Sequence, residues 1–482
     1  MTKHLTLADL IEGLGGEHPA GLAHPVQPIL DSRQADATSV FFAFVGENVD
    51  GHDYVGDAFA RGAAAAVVER DVAVEAAVLD IAQGGLPVEP VLPLVIRVPH
   101  VLHALQQAAT CWRQQLAPRV IAVTGSVGKT TTKELIACVL RRRYHVLHST
   151  GSYNNEIGLP LTLLQLTGDC ERVVLEMGMY ARGDIAALAR IAQPQVGVVT
   201  NVEPVHAERA GSLDNITLAK GELVESLPPA PEGVAVLNYD DLRVRSMAGA
   251  TQARIFFYGL SPGTDLWADE VQGLGMDGVR MRLHYGKEQL YLRVPLLGRH
   301  SVHTVLRATA VALLEGLSWQ EIVEGLRSPG TQLRLVSVEG PQGTLVLDDT
   351  YNSSPPSVLA ALNLLEDLEG RKIAVLGDML ELGEYEEEGH LKVGCRAAGV
   401  VEHLIAVGKC APLLTRGARL CGLPAERAHE AASNEEAVAL LKELLQPRDV
   451  ILVKGSRALR MENIVAELSA AVSAPSPQKE DV

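Results

Sequence analysis

The chain has 482 residues, of which 47% are hydrophobic, and at about 150 residues per domain this length predicts roughly three domains. The formal net charge of −17 argues against broad binding to nucleic acid or to an anionic membrane surface, although it allows a local basic cradle for a nucleotide. We find neither an apolar run long enough to span a membrane nor an apolar signal segment, so we expect a cytoplasmic protein without a membrane span.

The first stretch, residues 1–100, holds short apolar runs and turn clusters, such as VFFAFVG at 40–46 followed by a turn-like NVDG. The segment VLHALQQAATCWRQQL, 101–116, has the pattern of a helix that ends before Pro118. It predicts a connector between a first domain and a second.

The second stretch, residues 101–327, alternates continuous apolar runs with helical patterns. The runs VIAVTG, RVVLEMG, VGVVTNV and GVAVLN are typical of parallel strands covered on both faces, and they predict a doubly wound α/β domain. From about 251 to 297 the pattern alternates, and turns such as SPG at 261–263 predict hairpins. A helix after Gly298 is expected to close the domain near residue 327.

The third stretch, residues 328–474, contains the apolar runs TLVLDD, RKIAVLGDM, HLIAVG and DVILVKGSR, which predict a second α/β unit. The tail, 475–482, is predicted to be disordered. In both α/β units, polar residues directly follow apolar runs. Ligands bind at the carboxyl ends of strands in such sheets, so we expect two sheets with polar strand ends to face each other across a cleft.

The six cysteines are scattered and never form a C-x-x-C pair. Their spacing predicts neither a zinc site nor a disulfide framework, and it favours buried, reduced thiols.

The clearest chemical motif is the loop that follows VIAV and reads Gly125-Ser126-Val127-Gly128-Lys129-Thr130. The strict phosphate-loop pattern G-x-x-x-x-G-K-[ST] would place a glycine where this chain has Val123. A strand, a glycine turn and a helix would still direct backbone N–H groups at a phosphate. Lys129 would then reach the phosphates and Thr130 would bind Mg²⁺, which predicts a site for ATP or GTP.

Glu176 ends the run RVVLE, where a buried carboxylate needs a partner. It is interpreted either as an oxygen ligand of Mg²⁺ or as a carboxylate paired with a neighbouring backbone group or cation. His206, in the loop after VGVVTNV, is near this candidate metal site, although a lone loop histidine is more often structural.

Lys220 falls on an apolar helical stripe formed by Leu213, Ile216, Leu223 and Leu227. A lysine at such a position either extends its amine to the edge of the stripe or faces a site. In the third stretch, Lys454 and Arg457 stand at one strand end, where they either hold a phosphate or carboxylate or form surface ion pairs.

These residues, in this order, resemble the Mur ligases, the ATP-dependent amide-forming enzymes of peptidoglycan synthesis. The loop of that family is TG-x-x-GKT, so Val123 agrees with it. The resemblance covers nearly the whole chain and rests on DSR at 31–33, DGH at 50–52, NNEIGLP at 154–160, EMGM at 176–179, GSLDNITLAKGE at 211–222, DDTYNSSP at 348–355, GDMLELG at 377–383 and KGSR at 454–457.

The resemblance implies an α/β protein with a small α/β N-terminal domain, a central P-loop-type doubly wound sheet domain and a C-terminal Rossmann-like α/β domain. We assign them to residues 1–100, 101–327 and 328–474. The first would bind the UDP-sugar peptide, with Asp31, Ser32 and Arg33 near its nucleotide. The second would bind ATP and Mg²⁺, and the third would bind a dipeptide and close over the site.

The resemblance also implies roles for single residues. Lys129, His206 and Lys220 would be catalytic, Lys220 as a carbamate that serves a pair of Mg²⁺ ions together with Thr130, Glu176 and His206. ATP would be held by residues of the loop and of the third domain, namely Gly125, Ser126, Val127, Gly128, Lys129, Thr130, Thr131, Arg334 and Asp349. The other substrates would meet Asn154, Asn155, Tyr351, Asn352, Lys454 and Arg457.

The implied reaction joins D-alanyl-D-alanine to a UDP-N-acetylmuramoyl tripeptide through an acyl phosphate, with ATP and Mg²⁺, in a monomer without a nucleic acid partner. Two asparagines of the family's G-x-H-N-x-x-N stretch are replaced by Ser301 and Thr304, which leaves the adenine contact open. The family's D-D-S-Y-N-A-N-P stretch reads DDTYNSSP, so dipeptide specificity also stays open.

Four alternatives remain. A ligase that adds the third amino acid of the peptide would usually carry D-N-P-R if it takes diaminopimelate, and residues 348–355 lack it. A folylpolyglutamate synthetase is a further relative of the same class. A GTPase or transport ATPase would carry N-K-x-D or L-S-G-G-Q, which we do not find. A nucleotide-binding subunit without activity is disfavoured by the intact site residues. The third residue of the tripeptide, diaminopimelate or lysine, stays open.

Overall fold

A computed structural model provides the structure of the chain and describes residues 2–15, 17–19, 21–46, 48–83, 91–151, 153–205, 208, 211–328 and 336–473. His206, Arg334 and the tail from residue 475 lie outside these ranges. Among the described helices, none is long and apolar enough to cross a membrane.

The first sheet has five strands in the order β1-β2-β3-β5-β4, all paired in parallel. Its strands are β1 Gln27–Ile29, β2 Ser39–Phe42, β3 Ala65–Val68, β4 Ala77–Asp80 and β5 Leu94–Arg97. The helices of this part are α1 Leu7–Gly13 and α2 Val55–Ala60. Successive side chains of a strand point to opposite faces, so Phe41 and Phe42 fill two different cores.

The helix predicted over residues 101–116 is confirmed as α3, Val101–Leu116. It ends at Ala117, a left-handed residue that precedes Pro118. The indole of Trp112 donates a hydrogen bond to the carbonyl of Leu166 (3.0 Å), and one apolar core extends from the first sheet to the second.

The second sheet has nine strands in the order β14-β13-β12-β11-β10-β9-β6-β8-β7. The strands are β6 Arg119–Thr124, β7 Val146–His148, β8 Arg172–Glu176, β9 Val196–Val199, β10 Val234–Asn238, β11 Arg254–Gly259, β12 Leu266–Gly273, β13 Val279–Tyr285 and β14 Glu288–Val294. The four predicted parallel strands are confirmed, and β12, β13 and β14 are the predicted antiparallel hairpins. The hairpin prediction is wrong for Arg254–Gly259, which pairs in parallel with β10 because its apolar residues extend the buried sheet.

The helices of this domain are α4 Lys129–Leu140, α5 Gly158–Leu163, α6 Asp184–Ala192, α7 Leu213–Glu225, α8 Leu242–Ser246, α9 Ser301–Leu314 and α10 Trp319–Leu326. The single helix expected after Gly298 is therefore two helices. The break follows Glu315, whose buried carboxylate accepts hydrogen bonds from Arg119 and Arg172 (both 2.6 Å). Ser318 then starts α10 with a capping box.

The third sheet has six strands in the order β15-β16-β20-β17-β18-β19, parallel except for the edge pair β15–β16. The strands are β15 Val336–Glu339, β16 Leu345–Asp348, β17 Lys372–Gly377, β18 His403–Val407, β19 Ala428–Ala431 and β20 Val450–Lys454. The helices are α11 Pro355–Asp367, α12 Glu386–Ala398, α13 Ala411–Leu420, α14 Asn434–Leu444 and α15 Glu462–Ser473. The second predicted α/β unit is confirmed.

The prediction of free thiols is wrong for two of the six cysteines. Cys395 on α12 and Cys421, just after α13, form a disulfide with a Cα–Cα distance of 5.1 Å, while the other four are free. The two packed helices bring together residues that are 26 positions apart in the sequence, a spacing that no local pattern reveals.

Candidate active site

The loop from Gly125 to Thr130 connects β6 to α4. Two of its residues require glycine because their φ angles are positive, +142° at Gly125 and +82° at Gly128. A Cβ atom on Gly125 would lie 1.8 Å from the Oγ1 atom of Thr200, so the loop and the end of β9 fit together only without a side chain there.

Residues that follow β9 fix the backbone conformation of the loop through hydrogen bonds. The backbone N–H of Val127 donates to Oδ1 of Asn201 (2.9 Å), and the hydroxyl of Thr200 donates to the carbonyl of Val127 (2.8 Å). The hydroxyl of Ser126 donates to the carbonyl of Glu203 and accepts from its N–H (both 2.9 Å). The loop is therefore preformed as an anion cradle at the N-terminus of α4.

Lys129 is the first residue of α4, and its amine lies over the loop. It donates to the carbonyls of Gly125 (2.9 Å) and Ser126 (3.2 Å). This position places a cation where a nucleotide would place its phosphates.

Three oxygen-bearing side chains meet beside the loop. Glu176, at the end of β8, is 2% exposed and accepts hydrogen bonds from the hydroxyl of Thr130 (2.7 Å) and the amide of Asn154 (2.8 Å). No lysine, arginine or histidine of the described ranges forms an ion pair with this carboxylate. Because Mg²⁺ prefers oxygen ligands, a buried carboxylate next to a hydroxyl fits that ion, and the N–H of the Asn154 amide orients the carboxylate.

Lys220, on α7, is 2% exposed and borders the same cleft. Burial, followed by the nearby charge of Lys129, holds the pKa of Lys220 well below its ordinary value. Within the part of the chain that the structure describes, its amine has no hydrogen-bond or ion-pair partner. Lys220 therefore faces the site, one of the two positions that the sequence left open.

Residues of the third sheet lie on the opposite side of the cleft. The amine of Lys454, 2% exposed at the end of β20, forms an ion pair with Asp349 (2.7 Å) and donates to the carbonyl of Asn352 (2.8 Å). Arg457 is exposed, and its guanidinium lies 5.1 Å from the ring of Tyr351. Lys454 therefore orders the turn at residues 349–352, and Arg457 makes a cation–π contact with Tyr351 of that turn.

The cleft between the two sheets has a volume of about 830 Å³. It is bordered by Lys129, Thr130, Thr131, Asn154, Asn155, Glu176, Lys220, Asp349, Tyr351, Asn352 and Lys454. The carboxyl ends of the strands of the central and C-terminal sheets thus face each other, as the sequence pattern predicted.

The three predicted residues of the first domain do not border this cleft. Arg33 forms an ion pair with Asp31 (2.7 Å), and hydrogen bonds from Arg33 lower the pKa of Asp31 to about 2. The hydroxyl of Ser32 donates to Asp57 (2.8 Å). A phosphate that bound here would compete with Asp31 for Arg33.

Sequence reasoning missed a second buried cation next to the loop. Arg307, on α9, is 4% exposed and donates from Nη2 to the hydroxyl of Thr304 (3.0 Å). It is a single arginine in the otherwise apolar segment TVLRATAVALL, which is the signal that drew attention to Lys220. Applied again, that signal would have found it.

Comparison with known proteins gives three family matches: the Mur ligase family catalytic domain over residues 29–113, the Mur ligase middle domain over 123–312 and the Mur ligase glutamate ligase domain over 333–457.

The chain is 34% identical to UDP-N-acetylmuramoyl-tripeptide–D-alanyl-D-alanine ligase of Bacillus subtilis over 442 residues, covering 91% of the chain and 92% of that protein. It is 31% identical to the ligase of the same name from Escherichia coli over 475 residues, covering 96% and 98%.

Solved structures agree with these matches. MurF from Acinetobacter baumannii superposes with a TM-score of 0.84 at 30% identity, covering 98% of this chain and 99% of that one. MurF from Thermotoga maritima, solved in complex with ADP, gives 0.77 at 26% identity, covering 93% and 98%. Folylpolyglutamate synthase of Mycobacterium tuberculosis, at 16% identity and a TM-score of 0.59, shares the fold alone.

Proposed function

Because the chain belongs to the Mur ligase family, we propose that it joins D-alanyl-D-alanine to UDP-N-acetylmuramoyl tripeptide and converts ATP to ADP and phosphate in doing so. The product is the UDP-N-acetylmuramoyl pentapeptide, a precursor of peptidoglycan, so the activity serves cell-wall synthesis, cell shape and division. The observation that carries this proposal is the preformed phosphate loop beside the Thr130–Glu176–Asn154 group, facing a second domain across one cleft.

The reaction proceeds in two steps. The terminal carboxylate of the tripeptide attacks the γ-phosphate of ATP, an O–P bond forms, and ADP leaves. The amine of D-alanyl-D-alanine then attacks the acyl carbon, loses a proton and expels phosphate. The loop N–H groups and Lys129 stabilise the charge that develops on the transferred phosphoryl group.

Thr130 and Glu176 would hold Mg²⁺, which would neutralise phosphate charge when bound. His206 is assigned to a second ion. Arg334 and Asp349 are assigned to ATP from the C-terminal domain, and closure of that domain would exclude water from the acyl phosphate.

The remaining substrate contacts fall on three parts of the chain. Asp31, Ser32 and Arg33 are assigned to the UDP part of the substrate, in the domain of residues 1–100. Asn154 and Asn155 lie in the central domain, 101–327. Tyr351, Asn352, Lys454 and Arg457 are assigned to the dipeptide side, in the domain of residues 328–474.

We infer that Lys220 acts as a carbamate. Its neutral amine would add to CO₂, so that an N–C bond forms and one proton is released, and the resulting anion would face the metal site. Activity should rise when bicarbonate is added to depleted enzyme, and intact-mass spectrometry should show a gain of one CO₂. Lys220→Ala should lose activity and the mass gain together. Equal activity with and without bicarbonate, and no added mass, would remove this role.

The proposed function is tested with purified protein, ATP, Mg²⁺ and two UDP-N-acetylmuramoyl tripeptides, one with diaminopimelate and one with lysine. We expect ADP release that depends on D-alanyl-D-alanine, with a product whose mass equals the pentapeptide, and the faster tripeptide identifies the third residue. ADP release that is indifferent to the dipeptide would contradict the proposal. We further propose that the protein works as a cytoplasmic monomer, which light scattering and cell fractionation test.

A further inference from the structure

Arg307 lies behind the phosphate loop, on the side away from the cleft. A Cβ atom added to Gly128 would be 3.6 Å from Nη2 and 3.9 Å from Nη1 of Arg307, so the guanidinium lies beside the glycine that caps α4. Thr304 and Gly128 border the cleft, whereas Arg307 does not. The guanidinium therefore meets the loop from inside the protein.

The charge of Arg307 has no carboxylate partner in the described ranges. Its hydrogen bond to the hydroxyl of Thr304 and its contact with the hydroxyl of Tyr258 are both to neutral groups. Its Nε atom is buried, and no partner for it exists within the described part of the chain. An isolated buried cation destabilises a fold, and a sequence keeps one where an anion offsets the cost.

The phosphates of the nucleotide supply that anion. The loop that Arg307 supports is the phosphate cradle, and Lys129 contributes a second cation from the cleft side. We propose that Arg307 is a positioning residue for the nucleotide polyphosphate, which acts through Gly128: it fixes the start of α4 and adds positive potential behind the loop N–H groups.

This inference rests on the proposed nucleotide site, and it predicts how affinity depends on the ligand. A charge behind the loop should favour ligands in proportion to their phosphate charge. A contact to the base would instead act equally on every adenine nucleotide. The dependence on phosphate number thus separates the two roles.

The test compares wild type with Arg307→Met, which keeps the length and removes the charge, and with Arg307→Lys, which keeps the charge. Affinities for ADP and AMP with Mg²⁺ are measured by calorimetry, and melting temperatures are measured with and without ADP. We expect Arg307→Met to lower the affinity for ADP about tenfold or more, because it removes the attraction between the buried guanidinium and the phosphates. The affinity for AMP should fall less. The lysine variant should restore most of the ADP affinity.

Without nucleotide, Arg307→Met should melt at or above the wild-type temperature, because it removes an uncompensated buried charge. Its stabilisation by ADP should be smaller than that of wild type. A residue that only supports the fold would give the reverse: a lower melting temperature and an unchanged ADP shift.

Arg113→Met is the matched control. Arg113 is also a buried arginine (7% exposed) whose Nε has no partner in the described part of the chain, but it donates to Gln193 and does not contact the phosphate loop. Its loss should leave ADP affinity within about twofold of wild type, well under the 1.4 kcal/mol of a tenfold change.

An ADP affinity in Arg307→Met within twofold of wild type, or an equal loss for AMP and ADP, would overturn the inference alone. Wild-type protein that fails to bind ADP would overturn the proposed function and this inference together.

Discussion

The replacement Gly125→Ala tests whether the loop depends on its close fit to the end of β9. Two costs add. A Cβ atom at φ +142° strains the backbone by about 1–3 kcal/mol. The same atom lies 1.8 Å from Oγ1 of Thr200 and 2.9 Å from its Cβ. Relief of that overlap breaks the hydrogen bond from Thr200 to Val127, a loss of about 1 kcal/mol.

We therefore expect Gly125→Ala to lower the free energy of unfolding by about 2–4 kcal/mol, measured by urea denaturation, and to abolish ADP binding in calorimetry. Gly249→Ala is the control, since that glycine has no positive φ and no heavy atom within 4 Å of the added Cβ; it should change stability by less than about 0.5 kcal/mol.

A double-mutant cycle locates the cause. In the double mutant Gly125→Ala with Thr200→Ala, the 1.8 Å overlap with Oγ1 is removed while the backbone strain stays. The double mutant should therefore lose about 1 kcal/mol less free energy of unfolding than the two single mutants lose together. Strict additivity, or a Gly125→Ala protein that keeps wild-type stability and ADP affinity, would refute the reasoning.

Three further predictions concern other parts of the site. Glu176→Gln should weaken Mg²⁺-dependent ADP binding about tenfold or more while ADP binding without Mg²⁺ changes little, as measured by calorimetry in both conditions; equal losses would contradict the metal role. Lys133 is fully buried and donates to the carbonyls of Ser149 and Gly151. Lys133→Met should therefore lower the free energy of unfolding in urea by about 2–3 kcal/mol, and it should weaken Mg²⁺ binding because the turn before Asn154 loosens. A stable variant with unchanged Mg²⁺ affinity would contradict this prediction. Burial, followed by the charge of Arg307, lowers the pKa of His303 to about 4, so the unfolded chain takes up this proton at a higher pH than the folded protein does. The free energy of unfolding should therefore fall as the pH drops from about 6.5 toward 4, by up to about 1.4 kcal/mol per pH unit. His303→Gln should flatten this slope when urea unfolding is followed across pH, and an unchanged slope would contradict the prediction.

The parallel strands could be predicted from the sequence because each is a continuous apolar run that both faces bury. Arg254–Gly259 misled the prediction because it adjoins genuine hairpins and only its pairing partner, β10, reveals its direction. The disulfide between Cys395 and Cys421 depends on how two helices pack, which local spacing does not encode.

The site residues also divide into those that a local sequence motif predicts and those that only tertiary packing brings to the site. Motif residues such as Lys129 and Glu176 were predictable because a phosphate loop and a strand end each carry a local signature. Arg307 carries a weaker signal, a single cation in a largely apolar helix, which indicates a buried charge but not its place behind Gly128. That place depends on how α9 packs against the loop, a contact between segments that are far apart in the chain. Residues that support the loop from behind are therefore harder to predict than those that would touch the nucleotide, since their position depends on tertiary packing.

The charges around the loop also predict an order of events at Lys220. An amine reacts with CO₂ only when neutral, and burial followed by the charge of Lys129 lowers the pKa of Lys220, which favours the neutral form. A bound nucleotide would compensate Lys129 and so raise the pKa of unmodified Lys220, which reduces the reactive share of the amine. Carbamylation should therefore be fastest before the nucleotide binds.

This order can be measured on bicarbonate-depleted protein. One sample receives bicarbonate and then ADP, the other receives ADP and then bicarbonate, and intact-mass spectrometry follows the gain of one CO₂ over time. The second sample should gain mass more slowly, at an ADP concentration that calorimetry shows to saturate the protein. Equal rates in the wild-type samples would show that Lys129 does not control the amine, and burial alone would then account for its neutral state.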